Sequence, residues 1–145
     1  LVVLLGDMHS SNFVVVKTPD FEEVYYRIRP IDFDQQSYEG KRTVYQPQYF
    51  KQNNALVEMG MKYMTSESVK QYQTEERSLI AGRLKAEKQR VYEMLEVMAR
   101  DEISLPENTN QLKKELAKYY KNNEFLKCKS MGEIVWTSLD LVLQH

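Results

Sequence analysis

The chain has a single cysteine, Cys128, and so cannot close an internal disulfide; nothing in it argues for a disulfide-stapled secreted scaffold. Four prolines and five glycines in 145 residues exclude collagen-like and low-complexity classes. No apolar run reaches the roughly 18–20 residues that a bilayer-spanning helix needs. The apolar start Leu1-Val2-Val3-Leu4-Leu5 has no basic segment before it and no small-residue cleavage site after it, so it does not read as a signal peptide. An excess of charge is missing too: 20 Lys and Arg stand against 21 Asp and Glu, a net charge of −1. A general electrostatic binder of nucleic acid carries a strong basic excess. Neither nucleic acid nor a membrane is therefore an expected partner, and the expected location is the cytoplasm. What is present is a 42% hydrophobic content, high enough to exclude intrinsic disorder. There is no initiator Met, and the chain reads as a piece of a longer protein.

Three stretches are legible. Residues 1–34 read as β. Leu1–Leu5 has the continuous apolar pattern of a strand buried on both faces. Phe13-Val14-Val15-Val16 is β-branched and predicts a strand. Thr18–Glu23 carries turn chemistry, and Val24–Arg29 alternates as the return strand of a hairpin that Pro30 ends. Residues 35–46 form a polar loop. Tyr38 and Tyr45 there, with Tyr49 just after it, suggest that the region lies against something. From residue 47 onward the pattern is helical, with Pro47 suited to a first helical position. Leu56, Met59, Gly60 and Tyr63 share a face. Thr74 is the expected N-cap of a helix over 75–101, whose stripe is Ile80, Leu84, Val91, Leu95 and Met98. Pro106 is expected to end that helix, and Thr109 to cap the next one, with Leu112, Leu116 and Tyr119. Ser130–Glu133 fits a capping box before Ile134, Val135, Leu139 and Val142. The fold class is α+β: a short hairpin with four or five helices.

Chemistry concentrates in two acidic clusters near strand ends. Asp7, His9 and Asn12 form one, Asp32 and Asp34 the other. A hairpin between them would set the clusters side by side. Carboxylates and an amide oxygen at one place suit a hard divalent cation, and a further carboxylate could take a proton from a hydroxyl.

Gly6-Asp7-Met8-His9-Ser10-Ser11-Asn12, a hairpin, and then Ile31-Asp32-Phe33-Asp34 resemble the catalytic core of the protein-kinase-like phosphotransferases, closest to the aminoglycoside phosphotransferase and choline kinase branch. The resemblance covers residues 1–34; the helical remainder matches only in kind. It implies a mostly helical C-terminal lobe whose hairpin carries the catalytic and metal loops. It implies Asp7 as the base that receives the substrate hydroxyl proton, with Asn12 and Asp32 as ligands of Mg²⁺. His9 falls where the wider family places a cationic or polar residue near the transferred phosphoryl group. Asp34 reads as a cap. The implied cofactors are ATP and Mg²⁺, and the implied partner is a small-molecule hydroxyl substrate. Leu5 stands where the family usually has His. The glycine-rich loop over the ATP phosphates, the strand lysine and the helix glutamate that pairs with it are all missing here. They belong to an N-terminal lobe, so residues 1–145 alone are expected to be inactive.

Two other classes fit parts of the pattern. Asp7-Met8-His9 after an apolar strand also resembles the first motif of calcineurin-like metallophosphoesterases. That fold needs several further His ligands, and this chain has only His9 and His145. A non-catalytic helical interaction module or kinase-like remnant is the third. Lys113, Lys114, Lys118 and Lys121 read as a solvated helix face, and Cys128 as inert.

Overall fold

The protein is described from a computed structural model, which covers residues 3–6, 8–19, 24–31, 33, 36–100 and 104–144. Helix dominates, with one antiparallel two-stranded sheet. Strand β1 (Phe13–Pro19) pairs with β2 (Val24–Pro30) in a register that sets Phe13 opposite Pro30 and Pro19 opposite Val24. Both strands fall where β-branched content and alternation place them. The long spacing between Asn12 and Asp32 is taken up by this seven-residue pairing.

The expected strand at the N-terminus is absent among the described residues. Val3 lies in a turn, and Leu4–Gly6 have irregular backbone. Leu4 adopts the left-handed conformation (φ 52°), which no strand tolerates. Its carbonyl accepts from Ser37 N (2.8 Å), and the Val3 carbonyl accepts from Gln36 Nε2 (3.1 Å). Leu4 and Leu5 are thus buried in an anchored segment whose hydrogen-bond partners come from a loop, while Val3 is exposed. Periodicity cannot separate that from a buried strand.

Residues 42–53 run through three short 3-10 turns, Arg42–Tyr45, Pro47–Tyr49 and Lys51–Asn53, with Pro47 at a first helical position. Of the three tyrosines expected to lie against something, only Tyr45 is buried; Tyr38 and Tyr49 are exposed. Among the described residues five helices follow: α1 (Asn54–Tyr63), α2 (Ser66–Ala86), α3 (Lys88–Ala99), α4 (Pro106–Tyr120) and α5 (Met131–Leu143).

Two helix starts differ from expectation. Helix α2 is capped by Thr65, not Thr74: Thr65 Oγ1 accepts from Ser68 N (3.1 Å), and Ser68 Oγ accepts from Thr65 N (2.9 Å). Thr74 sits in the helix interior, donating to the Lys70 carbonyl (2.9 Å). The expected single helix over 75–101 is divided at Glu87 (φ −112°, ψ 26°). Its apolar stripe reads straight across because neither Pro nor Gly marks the division. Pro106 opens α4 at its first position instead of ending a helix, and Thr109 lies buried inside that helix. Ser130 caps α5 as expected, accepting from Glu133 N (3.1 Å).

Helix α5 is the centre of the core, with α3 and the C-terminal part of α2 against it. Leu95, Leu112, Leu116, Phe125, Ile134, Val135 and Leu139 are buried together with Tyr45 and Leu4. Tyr92 stacks on Trp136 (5.2 Å between centroids) at the edge of this core.

The hairpin does not pack flat on the helices. Val15, Tyr26 and Ile28, which share one face of the sheet, are 67%, 67% and 71% exposed. An open cleft of about 630 Å³ separates β2 from α2, with Tyr26, Ile28 and Arg29 on one side and Tyr72, Glu75, Glu76 and Arg83 on the other. The face of α1 that carries Leu56, Met59 and Tyr63 is likewise exposed, Tyr63 by 73%. No helix among the described residues is long and apolar enough to cross a membrane.

Candidate functional site

The segment from Met8 to Asn12 leads directly into β1, and its geometry is set by short-range bonds. His9 precedes a 3-10 turn, Ser10–Asn12, whose closing bond runs from Asn12 N to the His9 carbonyl (3.0 Å). The His9 ring is held on both nitrogens. Its Nδ1 meets Ser11 Oγ, and its Nε2 accepts from Asn12 Nδ2 (3.3 Å). Nε2 is the acceptor in the second contact, because an Asn nitrogen can only donate. Phe50 stands against the ring, with centroids 6.3 Å apart at 60°.

The return from the hairpin lands on the same spot. Ile31 N donates to the Asn12 carbonyl (3.0 Å), continuing the ladder one step past the Phe13–Pro30 pair. Asn12 and the residue that immediately precedes Asp32 in sequence are therefore hydrogen-bonded neighbours. Asp7, Asp32 and Asp34 themselves lie outside the described residues. Of the four expected site residues the structure thus places His9 and Asn12, in contact with each other, and brings to Asn12 the strand end that leads to Asp32.

For a metal, the fitting donor is the Asn12 carboxamide. With its nitrogen turned to His9, its oxygen is the end that a hard cation takes. Among the described residues no group of three or more His, Cys, Asp or Glu could hold a metal ion.

Below the loop lies a residue that sequence reasoning passes over. Asn53, 4% exposed, directs Nδ2 at two backbone carbonyls, Met8 (2.9 Å) and Pro47 (2.7 Å). Only the amide nitrogen can face two acceptors, so the side chain's orientation is fixed, and its Oδ1 is buried with no hydrogen-bond partner. The available signal is the polar Gln52-Asn53-Asn54 just ahead of a helix, which reads as capping; yet Asn53 makes no cap bond. Among the described residues Ser37 is also a buried polar side chain without a partner, at a left-handed φ of 55°.

Cys128 is buried at some distance along the fold, between α4 and α5. Burial pushes its thiol up from the ordinary value, with a hydrogen bond to Thr137 opposing the shift. It is no nucleophile at neutral pH. Lys113, on the basic face of α4, is partly buried and donates to the Cys128 carbonyl (3.4 Å).

Compared with protein-family models, with curated proteins and with solved structures, the chain finds no match in any of the three.

Proposed function

We propose that the chain is the C-terminal lobe of an ATP-dependent phosphotransferase that moves the γ-phosphoryl group to a hydroxyl of a small molecule. The supporting observation is the bond from Ile31 N to the Asn12 carbonyl, which joins the end of the first motif to the start of the second, 19 residues apart in sequence. In this reading Asp7 accepts the proton of the attacking hydroxyl. Asn12 and Asp32 would hold Mg²⁺, which would supply charge neutralisation at the phosphates. His9 fixes which end of the Asn12 carboxamide faces the cation. The chain supplies a base and metal ligands; an upstream N-terminal lobe supplies the nucleotide clamp, and residues 1–145 alone do not turn over.

The test uses the protein extended upstream by that lobe. Asp7→Asn is expected to lower kcat by at least roughly 10²-fold with the KM for ATP nearly unchanged, as loss of a general base does. Asp32→Ala is expected to weaken Mg²⁺–ATP binding as well as turnover. Full turnover in Asp7→Asn ends the assignment. One observation favours a second reading, as a helical interaction module: the exposed apolar face of α1, Leu56, Met59 and Tyr63. That reading requires that no extended form of the protein transfers phosphate.

A further inference from the structure

We infer that Asn53 is a positioning residue that clamps the loop of the proposed phosphotransfer site. The clamp rests on geometry alone; its effect on turnover rests on the phosphotransferase reading.

An Asn at a helix start ordinarily caps its own helix through its side-chain oxygen. Asn53 does not. Its two amide hydrogens are instead spent on the carbonyls of Pro47 and of Met8, the latter 45 residues away in the chain. Met8 lies between Asp7 and His9 in sequence, so holding its carbonyl fixes the peptide plane between Met8 and His9. From there a backbone series continues. The His9 carbonyl accepts from Asn12 N, and the Asn12 carbonyl accepts from Ile31 N, each at 3.0 Å. The Asn53 backbone takes part in the same support: its N donates to the Phe50 carbonyl (2.9 Å), and the Phe50 ring faces His9. The turn just before α1 therefore buttresses the loop through its backbone and through the His9 ring.

The buried Oδ1 points the same way. An unpartnered buried acceptor destabilises a fold, and an apolar residue of similar size would remove it. Such a residue could not hold the two carbonyls. Asn53 is placed for its donors. Phosphoryl transfer depends mostly on positioning, and displacements of about 1 Å at the reacting groups cost large factors in rate.

Asn53→Asp keeps size and removes the donors; Asn53→Leu removes both polar ends; Asn54→Ala, at the exposed neighbouring position, is the control. Hydrogen exchange is measured on the 145-residue chain. Both Asn53 variants are expected to raise exchange at the amides of residues 9–13 by about tenfold or more relative to the amides of α5, with Asn54→Ala unchanged. In the extended protein, kcat is expected to fall by about tenfold or more, with the KM for ATP within about threefold of the parent, at a temperature where all variants are folded. Unchanged exchange at residues 9–13 in Asn53→Asp, or a rise no larger there than in α5, overturns the clamp. Local exchange that rises with kcat unaltered overturns its positioning role. If the unmutated extended protein transfers no phosphate, the phosphotransferase reading falls, and the exchange experiment judges the clamp by itself.

Discussion

Tyr45 is fully buried and keeps a hydroxyl, which donates to the Glu39 carbonyl. Burial pushes its phenol far above the ordinary 10.0; the bond to the Glu39 backbone opposes this, and the Glu39 carboxylate adds a smaller upward push. Burial raises Tyr120 and Cys128 in the same direction, from ordinary values of 10.0 and 9.0. In the unfolded chain these groups ionise at their ordinary values, while in the fold they stay protonated. Between those limits the unfolded state binds fewer protons, so stability falls as pH rises. Their contribution is complete well below the ordinary values, 9.0 for the thiol and 10.0 for the phenols, and is lost progressively as pH rises past those values toward the raised ones in the fold. Urea unfolding at pH 8 and pH 10.5 measures the loss. Tyr45→Phe is expected to be less stable than the parent at pH 8, by about 1 kcal/mol for the missing hydrogen bond, and to lose less on going to pH 10.5. An equal loss in both proteins excludes Tyr45 as a source. The burial of Tyr45 was only half legible in the sequence. Three nearby tyrosines looked alike, and the one that entered the core was selected by the turn geometry of residues 42–53, which leaves no periodic trace.

Among the elements, the start of α5 abuts the end of α3 at Gly132. A Cβ there would lie 2.3 Å from Met98 C and 2.3 Å from Ala99 N, the backbone at the end of α3. No rotamer change relieves a clash with main chain. Gly132→Ala is expected to force the helices apart and to cost about 1–3 kcal/mol, the range of overpacking in a filled core. The readout is the denaturant midpoint, with Gly82→Ala as comparison. A Cβ at Gly82 meets nothing within 4 Å, and alanine is the better helix former, so that change is expected to stabilise slightly. A neutral Gly132→Ala would mean that the two helices are not held at this distance. The core stripe of Leu84, Val91, Leu95 and Met98 was readable because each residue faces α5 at helical spacing. The start of α2 was not. Its first three turns stand in solvent, so no apolar period marks them, and the Thr65–Ser68 cap differs from the Ser/Thr-x-x-Glu/Gln form that identifies a cap by eye. The hairpin and the Ser130 cap were legible because their signals are local. The support of the loop by Asn53 was not, because it joins positions 45 residues apart.

At the scale of the whole molecule, helices α2–α5 share one core, and among the described residues neither α1 nor the hairpin contributes to it. An isolated two-stranded hairpin is marginally stable in water. This one exposes Val15, Tyr26 and Ile28 on the face above the cleft toward α2, so its apolar face is unpartnered among the described residues. On the proposed reading the upstream lobe covers that face and brings the nucleotide to the Asn12 end of the hairpin. The five glycines bear on the same point. At positions 6, 40, 60, 82 and 132 they stand at least 20 residues apart, so the chain has no glycine-rich loop that could wrap phosphates with backbone N–H groups. Mg²⁺ is usually held by one or two carboxylates together with the substrate's phosphates, so on the proposed reading Asn12 and Asp32 alone would not hold a nucleotide. Calorimetric titration of the 145-residue chain with Mg²⁺–ATP is therefore expected to show no saturable binding up to about 1 mM, a limit of about −4 kcal/mol. The chain extended upstream is expected to saturate well below that concentration and to lose most of the affinity in Asp32→Ala. Tight binding by the 145-residue chain would place the nucleotide site within residues 1–145 and overturn the two-lobe reading. Absence of binding in both forms would remove ATP from the proposal altogether.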